Sequence, residues 1–306
     1  MSILSISLPV EARLFPDLYE QLLWKLARTR PHMGFDPTYI EERNERTGHV
    51  VRVLPYPTSF VLDLSAGHLP VAGNRKLFPG TAAAEVAWQL LGTQDPTFMM
   101  RHAKVVWEKF LEDNPDQDAG APATKIIKAA YGYRWRKHFG RDQLKLAIEA
   151  LRRNPSDRRV WVGAWDPSED GLGAAGQLNV PCPVGFSLAV VDSRLNCSLM
   201  IRSSDVFVGL PYDVMGQSML MAIVAEELEV GLGHLHVTLG HAHLYDSHFE
   251  DADASLRWHY KATKVPLVGL PVDILLEDPD AYVAEYKRLG AATSWPDFCP
   301  RPDVIP

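Results

Sequence analysis

The alternation of apolar and polar residues along the chain predicts a mixture of helices and strands. Apolar residues recur at helical spacing in six segments, which are 14–29, 80–92, 98–111, 141–152, 214–229 and 278–289. Shorter apolar runs bounded by turn residues predict strands, two of them joined by a turn within 49–64 and the others at 160–165, 185–192, 197–203 and 234–245.

Proline and glycine mark the ends of several of these elements. Pro31 is expected to end the first helix. Thr81 is expected to cap the N-terminus of the second helix, and Gly92 is expected to end it. The segment 113–123 is expected to be a polar loop. The segment 206–224 carries few charges but is interrupted by turn residues, so a buried loop and helix are expected there.

No linker divides the chain. We therefore predict a single α+β domain over residues 1–306, in which helices pack on a large mixed β-sheet. Neighbouring apolar runs such as 188–192 and 197–201 require burial on both faces of the sheet or a partner subunit.

Composition and charge narrow the class of protein. The 306 residues include 31 basic and 38 acidic side chains, a net charge of −7, which argues against a general nucleic-acid binder. Three cysteines are too few for a disulfide scaffold, so we expect a reducing, cytoplasmic environment. The N-terminus lacks the pattern of a signal peptide, and no apolar stretch reaches the length of a membrane span.

Cys182 lies between Pro181 and Pro183, which restrict the backbone on both sides. A cysteine in such a chain is most often buried and inert. Arg202 follows a predicted strand, however, and a guanidinium near a thiol lowers the thiol pKa. A nucleophilic thiolate at Cys182 is therefore a candidate chemistry.

Arginines and a serine form a second group of candidates. An adjacent arginine pair is usually a solvated surface feature, but one member of the pair here opens an apolar strand, where a charge needs a partner. Arginines that converge with a hydroxyl suit a phosphate dianion, because they give forked donors to its oxygens. The residues concerned are Arg46, Arg158, Arg159, Arg202 and Ser203.

Histidines are concentrated in the C-terminal third of the chain, at His234, His236, His241, His243 and His248. Pairs two residues apart on a strand place both rings on one face, and imidazoles can bind zinc or iron. Their spacing fits no compact zinc motif. Hydrogen-bonding roles are therefore favoured over a metal site.

Glu85 lies in the segment AAAEVAWQLL, whose other positions are mostly apolar. Its carboxylate either points to solvent or lies in a cleft. In a cleft, burial would raise its pKa and suit it to proton transfer. The sequence leaves both placements open.

Several segments, taken in order, resemble the thymidylate synthase family. They are ERTG at 45–48, EVAWQLLG at 85–92, YGYRWR at 131–136, DRRVWVGAW at 157–165, PC at 181–182, RSSDVFVGLPYD at 202–213 and HAHLY at 241–245. The resemblance extends over roughly residues 40–260, and RSSDVFVGLPYD is its most specific segment. Residues 1–40 are less family-like and are expected to form an N-terminal extension.

The resemblance implies a homodimer with a sheet face at its interface. Each active site would bind a pyrimidine nucleoside monophosphate and 5,10-methylenetetrahydrofolate, and no metal is implied. Cys182 would add to C6 of the base, and Glu85 would organise proton transfer and water. Asp205, which is also implied as a catalytic residue, and Gly209 would lie beside the base and the folate.

The remaining implied contacts concern the ends of the two substrates. Residues expected to bind the phosphate from the same chain are Arg46, Arg202 and Ser203, and those reaching across the dimer into the partner's site are Arg158 and Arg159. His243 and Tyr245 would hold the sugar hydroxyl, and Trp107 would form an aromatic wall of the folate pocket.

Two positions depart from the thymidylate synthase pattern. Asp213 replaces an asparagine that reads the uracil edge, and Pro183 replaces the histidine that usually follows the nucleophile. A carboxylate accepts from the 4-amino group of cytosine, and a protonated carboxyl can also donate to N3, whereas an ionised one repels O4 of uracil. Aspartate at this position is a feature of the cytidylate hydroxymethylases of the family.

The resemblance and these departures predict a cytidylate 5-hydroxymethyltransferase, with dCMP favoured over CMP. The enzymatic alternatives are a dCMP 5-methyltransferase and a thymidylate synthase, in which hydride replaces water in the last step. The alternatives from other classes are a catalytically silent pyrimidine nucleotide-binding protein and a histidine metalloprotein.

Overall fold

A computed structural model of the chain describes residues 15–28, 38–45, 47–115, 124–173, 178–257, 264–300 and 304–305. Its helices are α1 Phe15–Ala27, α2 Pro79–Leu91, α3 Thr97–His102, α4 Lys104–Trp107, α5 Tyr131–Tyr133, α6 Gln143–Arg153, α7 Gly209–Glu227, α8 Phe249–Ser255, α9 Val272–Glu277 and α10 Pro279–Ala292. Its strands are β1 Ile40–Arg43, β2 Val50–Val53, β3 Thr58–Asp63, β4 Glu112–Asp113, β5 Lys125–Ile126, β6 Trp161–Gly163, β7 Pro183–Val191, β8 Arg194–Ile201, β9 Ser204–Asp205, β10 Gly231–Leu239 and β11 Ala242–Tyr245. A π-helical turn, Arg134–His138, follows α5, and 3-10 turns lie at Glu108–Phe110 and Asp246–His248.

Five strands form the mixed sheet that the sequence predicts, in the order β3-β10-β8-β7-β6. β10 pairs in parallel with β8, and the other neighbours are antiparallel. Along β8, Leu195, Cys197, Leu199 and Ile201 are buried, and the residues between them are at least partly exposed. One face of the sheet is therefore covered by the chain, and the other is open.

The covered face packs against α7, which is the central helix of the core. α7 contacts β8 and β10 on one side and α2 on the other, and nearly all residues from Val214 to Ala225 are buried. A helix buried on all sides has apolar residues around its whole circumference. This explains why 206–224 has so few charges and confirms the buried helix expected there.

A second sheet, β1-β2-β11-β9, lies beside the first and consists of short strands. β9 pairs in parallel with β11, and His243 lies opposite Asp205 in the register. This pairing brings together two candidate residues that are 38 positions apart (243 − 205). The third sheet contains β4 and β5 alone.

Two runs predicted as continuous or neighbouring strands are divided between the two larger sheets. β2 and β3 are separated by Pro55 and Pro57, and β2 pairs with β11 whereas β3 pairs with β10. The run 234–245 breaks at Gly240 into β10 and β11. A Cβ atom on Gly240 would lie 2.8 Å from the Arg202 carbonyl oxygen, so this close approach of the two backbones requires glycine.

Three helix boundaries also differ from the prediction. Thr81 does not cap α2, because the helix already begins at Pro79. A proline is tolerated in the first turn, since the N–H that it lacks would have no partner within the helix. The helix expected over 98–111 breaks at Ala103, whose φ is −142°. α7 begins at Gly209 rather than at 214, since its proline lies in the first turn.

The end predicted for α2 is confirmed. Gly92 adopts the left-handed conformation (φ 60°), and its N–H donates to the Gln89 carbonyl. Pro31 and residues 116–123 of the predicted polar loop lie outside the described residues.

α1 precedes the segments that resemble the family, yet it packs into the core. Tyr19 and Leu26 are fully buried. Arg52 donates to the carbonyl oxygens of Leu26 and Ala27 at 3.3 and 2.9 Å and so satisfies the C-terminus of the helix. Among the described residues, no helix combines the length and apolar character needed to cross a membrane.

Candidate active site

Cys182 lies in the loop that leads into β7, and its side chain is partly exposed. Arg202 follows β8 and fastens this loop. The Arg202 backbone N–H donates to the Cys182 carbonyl at 2.9 Å, and its guanidinium donates to the Pro181 and Val180 carbonyls at 2.9 and 3.1 Å. The guanidinium therefore binds the backbone just before the thiol, which restricts where the thiol can lie.

Glu85 projects from α2 into a recess lined by aromatic rings. The indole N–H of Trp107 donates to Glu85 Oε1 at 2.8 Å, and Trp107 contacts Trp88 and Tyr131 edge to face. Burial raises the pKa of Glu85 to about 7, and the hydrogen bond from Trp107 opposes part of this rise. Of the two placements that the sequence leaves open, the structure therefore shows the one in which the Glu85 carboxyl is buried rather than directed to solvent.

Tyr131 interacts with Cys182 and also with the acids Glu85 and Asp213. Burial raises the pKa of its hydroxyl well above 10, and negative charge on Cys182, Asp213 and Glu85 acts in the same direction. These three groups therefore lie close enough to the Tyr131 hydroxyl for their charges to act on it. Sequence reasoning gave Tyr131 no role, although the residue opens the family-like segment YGYRWR, which was the signal available.

Asp213 lies one turn into α7, close to Gly209. Its Oδ2 is 3.8 Å from the position that a Cβ atom on Gly209 would take. Burial raises the pKa of Asp213 to about 8, and the negative charges of Glu85 and Asp205 contribute to the rise. The carboxyl is therefore mostly protonated at neutral pH.

This protonation changes the physical basis of base recognition expected from the sequence. Repulsion between uracil O4 and an ionised Asp213 requires a carboxylate, whereas a pKa of about 8 gives mostly a neutral acid at pH 7. A neutral acid can donate its O–H to an acceptor such as cytosine N3 while its other oxygen accepts from an amino group. The same neutral acid can also pair with uracil, by accepting from N3–H and donating to O4, so rejection of uracil by this residue would need its ionised form.

Asp205 lies at the end of β9 and shapes the turn that precedes α7. Its Oδ1 accepts from the backbone N–H groups of Phe207 and Val208 at 2.9 and 3.0 Å. Its neighbour across the β-ladder is His243, whose pKa is lowered mainly by burial, while the charge of Asp205 acts in the opposite direction. The turn and the ladder together fix Asp205 beside α7.

His243 and Tyr245 are both buried on β11. Their rings are perpendicular with centroids 5.0 Å apart, and the Tyr245 ring also contacts His49 at 5.8 Å. His243 Nδ1 lies 3.4 Å from His241 Nδ1. These contacts place the two residues in a packed aromatic group beside Asp205.

The remaining candidates are less closely connected to this recess within one chain. Arg158 and Arg159 are exposed, and Arg159 is paired with Asp157 at 2.9 Å, which supplies the partner that a charge at the start of an apolar strand needs. Ser203 is partly buried in the turn between β8 and β9. Arg46 lies outside the described residues.

Side chains of the types that bind metals come together at a different place from the histidines considered in the sequence analysis. Within the described ranges, the one group of three ligand-type side chains within 4.8 Å of one another is His138, Asp166 and Glu169. The fully buried Arg134 guanidinium lies 2.8 Å from both His138 Nε2 and Glu169 Oε2, so a cation of the chain already occupies this cluster. None of the five C-terminal histidines considered in the sequence analysis belongs to this group.

The sequence of the chain matches a known protein family over most of its length. The family model of thymidylate synthase matches residues 38–278, more than half of the chain. The chain belongs to the thymidylate synthase family. Thymidylate synthases and their relatives are folate-dependent enzymes that transfer a one-carbon unit to a pyrimidine nucleotide, with methylenetetrahydrofolate as co-substrate.

The thymidylate synthase match begins after α1 and ends before α10, yet both helices pack on the matched part. The Tyr19 hydroxyl of α1 donates to the Phe207 carbonyl at 3.4 Å, directly beneath the Asp205 turn. α10 packs along α2, which carries Glu85. The two terminal helices therefore support the site from outside the matched range.

Proposed function

We propose that the chain catalyses the 5-hydroxymethylation of a cytidine monophosphate, with dCMP favoured over CMP. The observation that carries this proposal is Asp213, an acid of raised pKa at the position where thymidylate synthases have a uracil-reading asparagine. Its protonated carboxyl complements N3 and the 4-amino group of cytosine together, and its ionised form accepts from the 4-amino group but repels O4 of uracil. Pro183, in place of the usual histidine, is the second departure from a uracil site.

The proposed reaction begins at the thiolate of Cys182, which adds to C6 of the base and makes C5 nucleophilic. Methylenetetrahydrofolate supplies the one-carbon unit that C5 attacks. Loss of the C5 proton and of tetrahydrofolate leaves an exocyclic methylene group on the base. Water then adds to this methylene, Cys182 leaves C6, and the product is the 5-hydroxymethyl nucleotide.

Two groups of the proposed site are suited to the proton transfers. Glu85, with a pKa of about 7, can hold or release a proton at neutral pH. Tyr131 has a strongly raised pKa and therefore stays protonated, so its hydroxyl can donate to a developing negative charge or relay a proton. Glu85 is the proposed organiser of the water that adds last.

The contacts of Arg202 support a phosphate site next to the cysteine loop. Its Nε and Nη2 are used by backbone carbonyls, which leaves Nη1 as the donor proposed for a phosphate oxygen. Ser203 and Arg46 are proposed to complete this site. His243 and Tyr245 are proposed to bind the sugar, and Asp205, Gly209 and Trp107 the folate.

The open face of the five-stranded sheet supports a homodimer. On this face Met200 of β8 and Trp161 of β6 are exposed apolar residues, and His234 and His236 of β10 lie on the same side as polar neighbours. A partner copy would cover this face and bring Arg158 and Arg159 to the neighbouring active site.

Replacing Met200 by glutamate is expected to convert a dimer into a monomer, because a charge would be buried at the centre of the interface. Sedimentation equilibrium should give twice 34.2 kDa for the wild-type protein and 34.2 kDa for Met200→Glu. Leu172→Glu, at an exposed loop position, is the matched control and should stay dimeric. A wild-type monomer, or a dimeric Met200→Glu protein, contradicts the proposed interface.

Incubation with dCMP, CMP or dUMP and methylenetetrahydrofolate tests the proposed function. The expected result is turnover of dCMP above the other two, with a product whose mass corresponds to the added hydroxymethyl group and no rise in dihydrofolate absorbance. A 5-methyl product with dihydrofolate supports the methyltransferase alternative instead. Preference for dUMP contradicts the cytosine assignment.

A further inference from the structure

We propose that His248 is a positioning residue for Asp205, and that it acts on the active site through this carboxylate. The inference rests on the proposed function, because it assigns a role within the same site. His248 ends the 3-10 turn that follows β11, and Asp205 ends β9, the parallel neighbour of β11. Two paired strands thus deliver the imidazole and the carboxylate to one place.

The two oxygens of Asp205 have different surroundings. Oδ1 accepts from the Phe207 and Val208 N–H groups, so both of its lone pairs are used within the turn. Oδ2 lies 3.7 Å from Nδ1 of His248. The oxygen left for a ligand is therefore the one beside the imidazole.

His248 is almost completely buried, with 1% of its side chain exposed, and neither of its ring nitrogens has a hydrogen-bond partner among the described residues. Buried polar groups are nearly always bonded, so an imidazole held in this state requires an explanation. Catalytic hydrogen bonds are often long without substrate and shorten in the complex. A shift of about half an ångström brings Nδ1–H into bonding distance of Oδ2.

The surroundings of His248 restrict the direction of such a shift. The Phe207 ring lies against the imidazole, with centroids 5.9 Å apart. Phe207 is itself anchored: Arg75 donates to its carbonyl and lies over its ring at 4.4 Å, and Tyr19 donates to the same carbonyl. These contacts hold the turn that carries Asp205, so the proposed shift is assigned to the His248 and Asp205 side chains.

The charge of Asp205 acts on groups proposed to bind the nucleotide. It contributes to the raised pKa of Asp213 and opposes the lowering of the His243 pKa. A hydrogen bond from His248 to Oδ2 would consequently orient the Asp205 carboxylate for the folate. It would also reduce the effect of the Asp205 charge on the pKa of Asp213. His248 thus has an effect at the base without touching it.

Three substitutions separate hydrogen bonding from packing. His248→Phe keeps a ring without a donor, His248→Asn places an amide N–H near the position of Nδ1, and His248→Gln places it near Nε2. We expect His248→Phe and His248→Gln to lower kcat/KM for dCMP at least about tenfold, the scale of a lost charge-assisted bond. His248→Asn should stay within about threefold of the wild type.

A second measurement tests the route through Asp205. In an Asp205→Asn background, His248→Phe should have no additional effect, because a residue that acts through another loses its effect when the other is changed. Equal activity of the Asn and Gln variants, or additive effects of the two substitutions, overturns the inference. So does wild-type activity in His248→Phe.

The failure of the proposed function gives a different result. If the wild-type protein turns over none of the three nucleotides, the proposed function fails, and the same variants are compared by calorimetric binding of dCMP. A Kd that is weakened in the Phe and Gln variants but restored in the Asn variant supports the positioning role. A Kd unchanged across the series overturns it.

Discussion

Replacing Cys182 by serine is expected to lower turnover of dCMP by at least about a thousandfold, the order of loss seen when an enzyme loses its nucleophile. A serine hydroxyl is not ionised at neutral pH, so it cannot add to C6 as a thiolate does. The side chain is partly exposed and the change is nearly isosteric, so the thermal midpoint should move by less than about 3 °C. Initial rates and a thermal melt check both expectations.

Cys299→Ser is the matched control, since Cys299 is exposed and belongs to no part of the proposed site. Incubation with a 5-fluoropyrimidine nucleotide and the folate should give a covalent adduct with the wild-type and Cys299→Ser proteins and none with Cys182→Ser. An adduct on Cys182→Ser assigns the nucleophile to another residue. The absence of an adduct on the wild-type protein supports a silent nucleotide-binding protein.

Asp213→Asn is expected to shift the ratio of kcat/KM for dCMP and dUMP towards dUMP by at least about tenfold. By the family resemblance an asparagine at this position reads uracil, because its amide can accept from N3–H and donate to O4. Competition between the two nucleotides, with products separated by mass, measures the ratio directly. Asp273→Asn, at an exposed position of α9, is the control and should leave it unchanged.

The same substitution has a predicted effect on pH dependence. With a pKa of about 8, Asp213 loses its O–H donor as the pH rises through 8, so kcat/KM for dCMP should fall on the alkaline side. The amide of Asp213→Asn cannot titrate, and this alkaline fall should be absent from its profile with dUMP. An unchanged base preference together with an unchanged profile refutes the base-reading role.

Stability should also fall with rising pH in the unliganded protein. The pKa values of Asp213 and Glu85, about 8 and about 7, lie above the ordinary values of 3.8 and 4.5, so the folded state binds more protons than the unfolded state in these intervals. The contribution of the two protonated carboxyls to the free energy of unfolding is fully present below their ordinary pKa values. It is lost as the pH rises through their pKa values in the folded state. Asp213→Asn should remove the contribution of Asp213 to this pH dependence, which is up to about 1.4 kcal/mol per pH unit in the free energy of unfolding. Urea unfolding between pH 5 and 8 measures it.

The sequence predicted those parts of the fold that depend on local periodicity. The buried strands β7 and β8, the amphipathic α6 and the glycine at the end of α2 follow from apolar spacing and from the conformational freedom of glycine. The division of 234–245 between two sheets does not follow from its alternation. It depends on the close approach of Gly240 to the Arg202 backbone, a contact between distant segments.

The site shows the same limit. The motifs that resemble the family contained Cys182, Glu85 and Asp213, and the structure adds the burial that raises two of their pKa values. The segment YGYRWR and the group of histidines contained Tyr131 and His248 but did not single them out, because their importance depends on neighbours from other elements. The protonation state of Asp213 likewise depends on Glu85 and Asp205, which are far from it in sequence or on another element.

The bonds from Arg202 to the backbone before Cys182 have a consequence for substrate discrimination. An anion that pulls on this guanidinium also tightens the segment on which the sulfur is mounted. In the proposed site, recognition of the phosphate would thereby be transmitted to the Cys182 sulfur. Free nucleosides would accordingly be poor substrates even at saturation, because they can fill the base pocket without setting the sulfur in its attacking position.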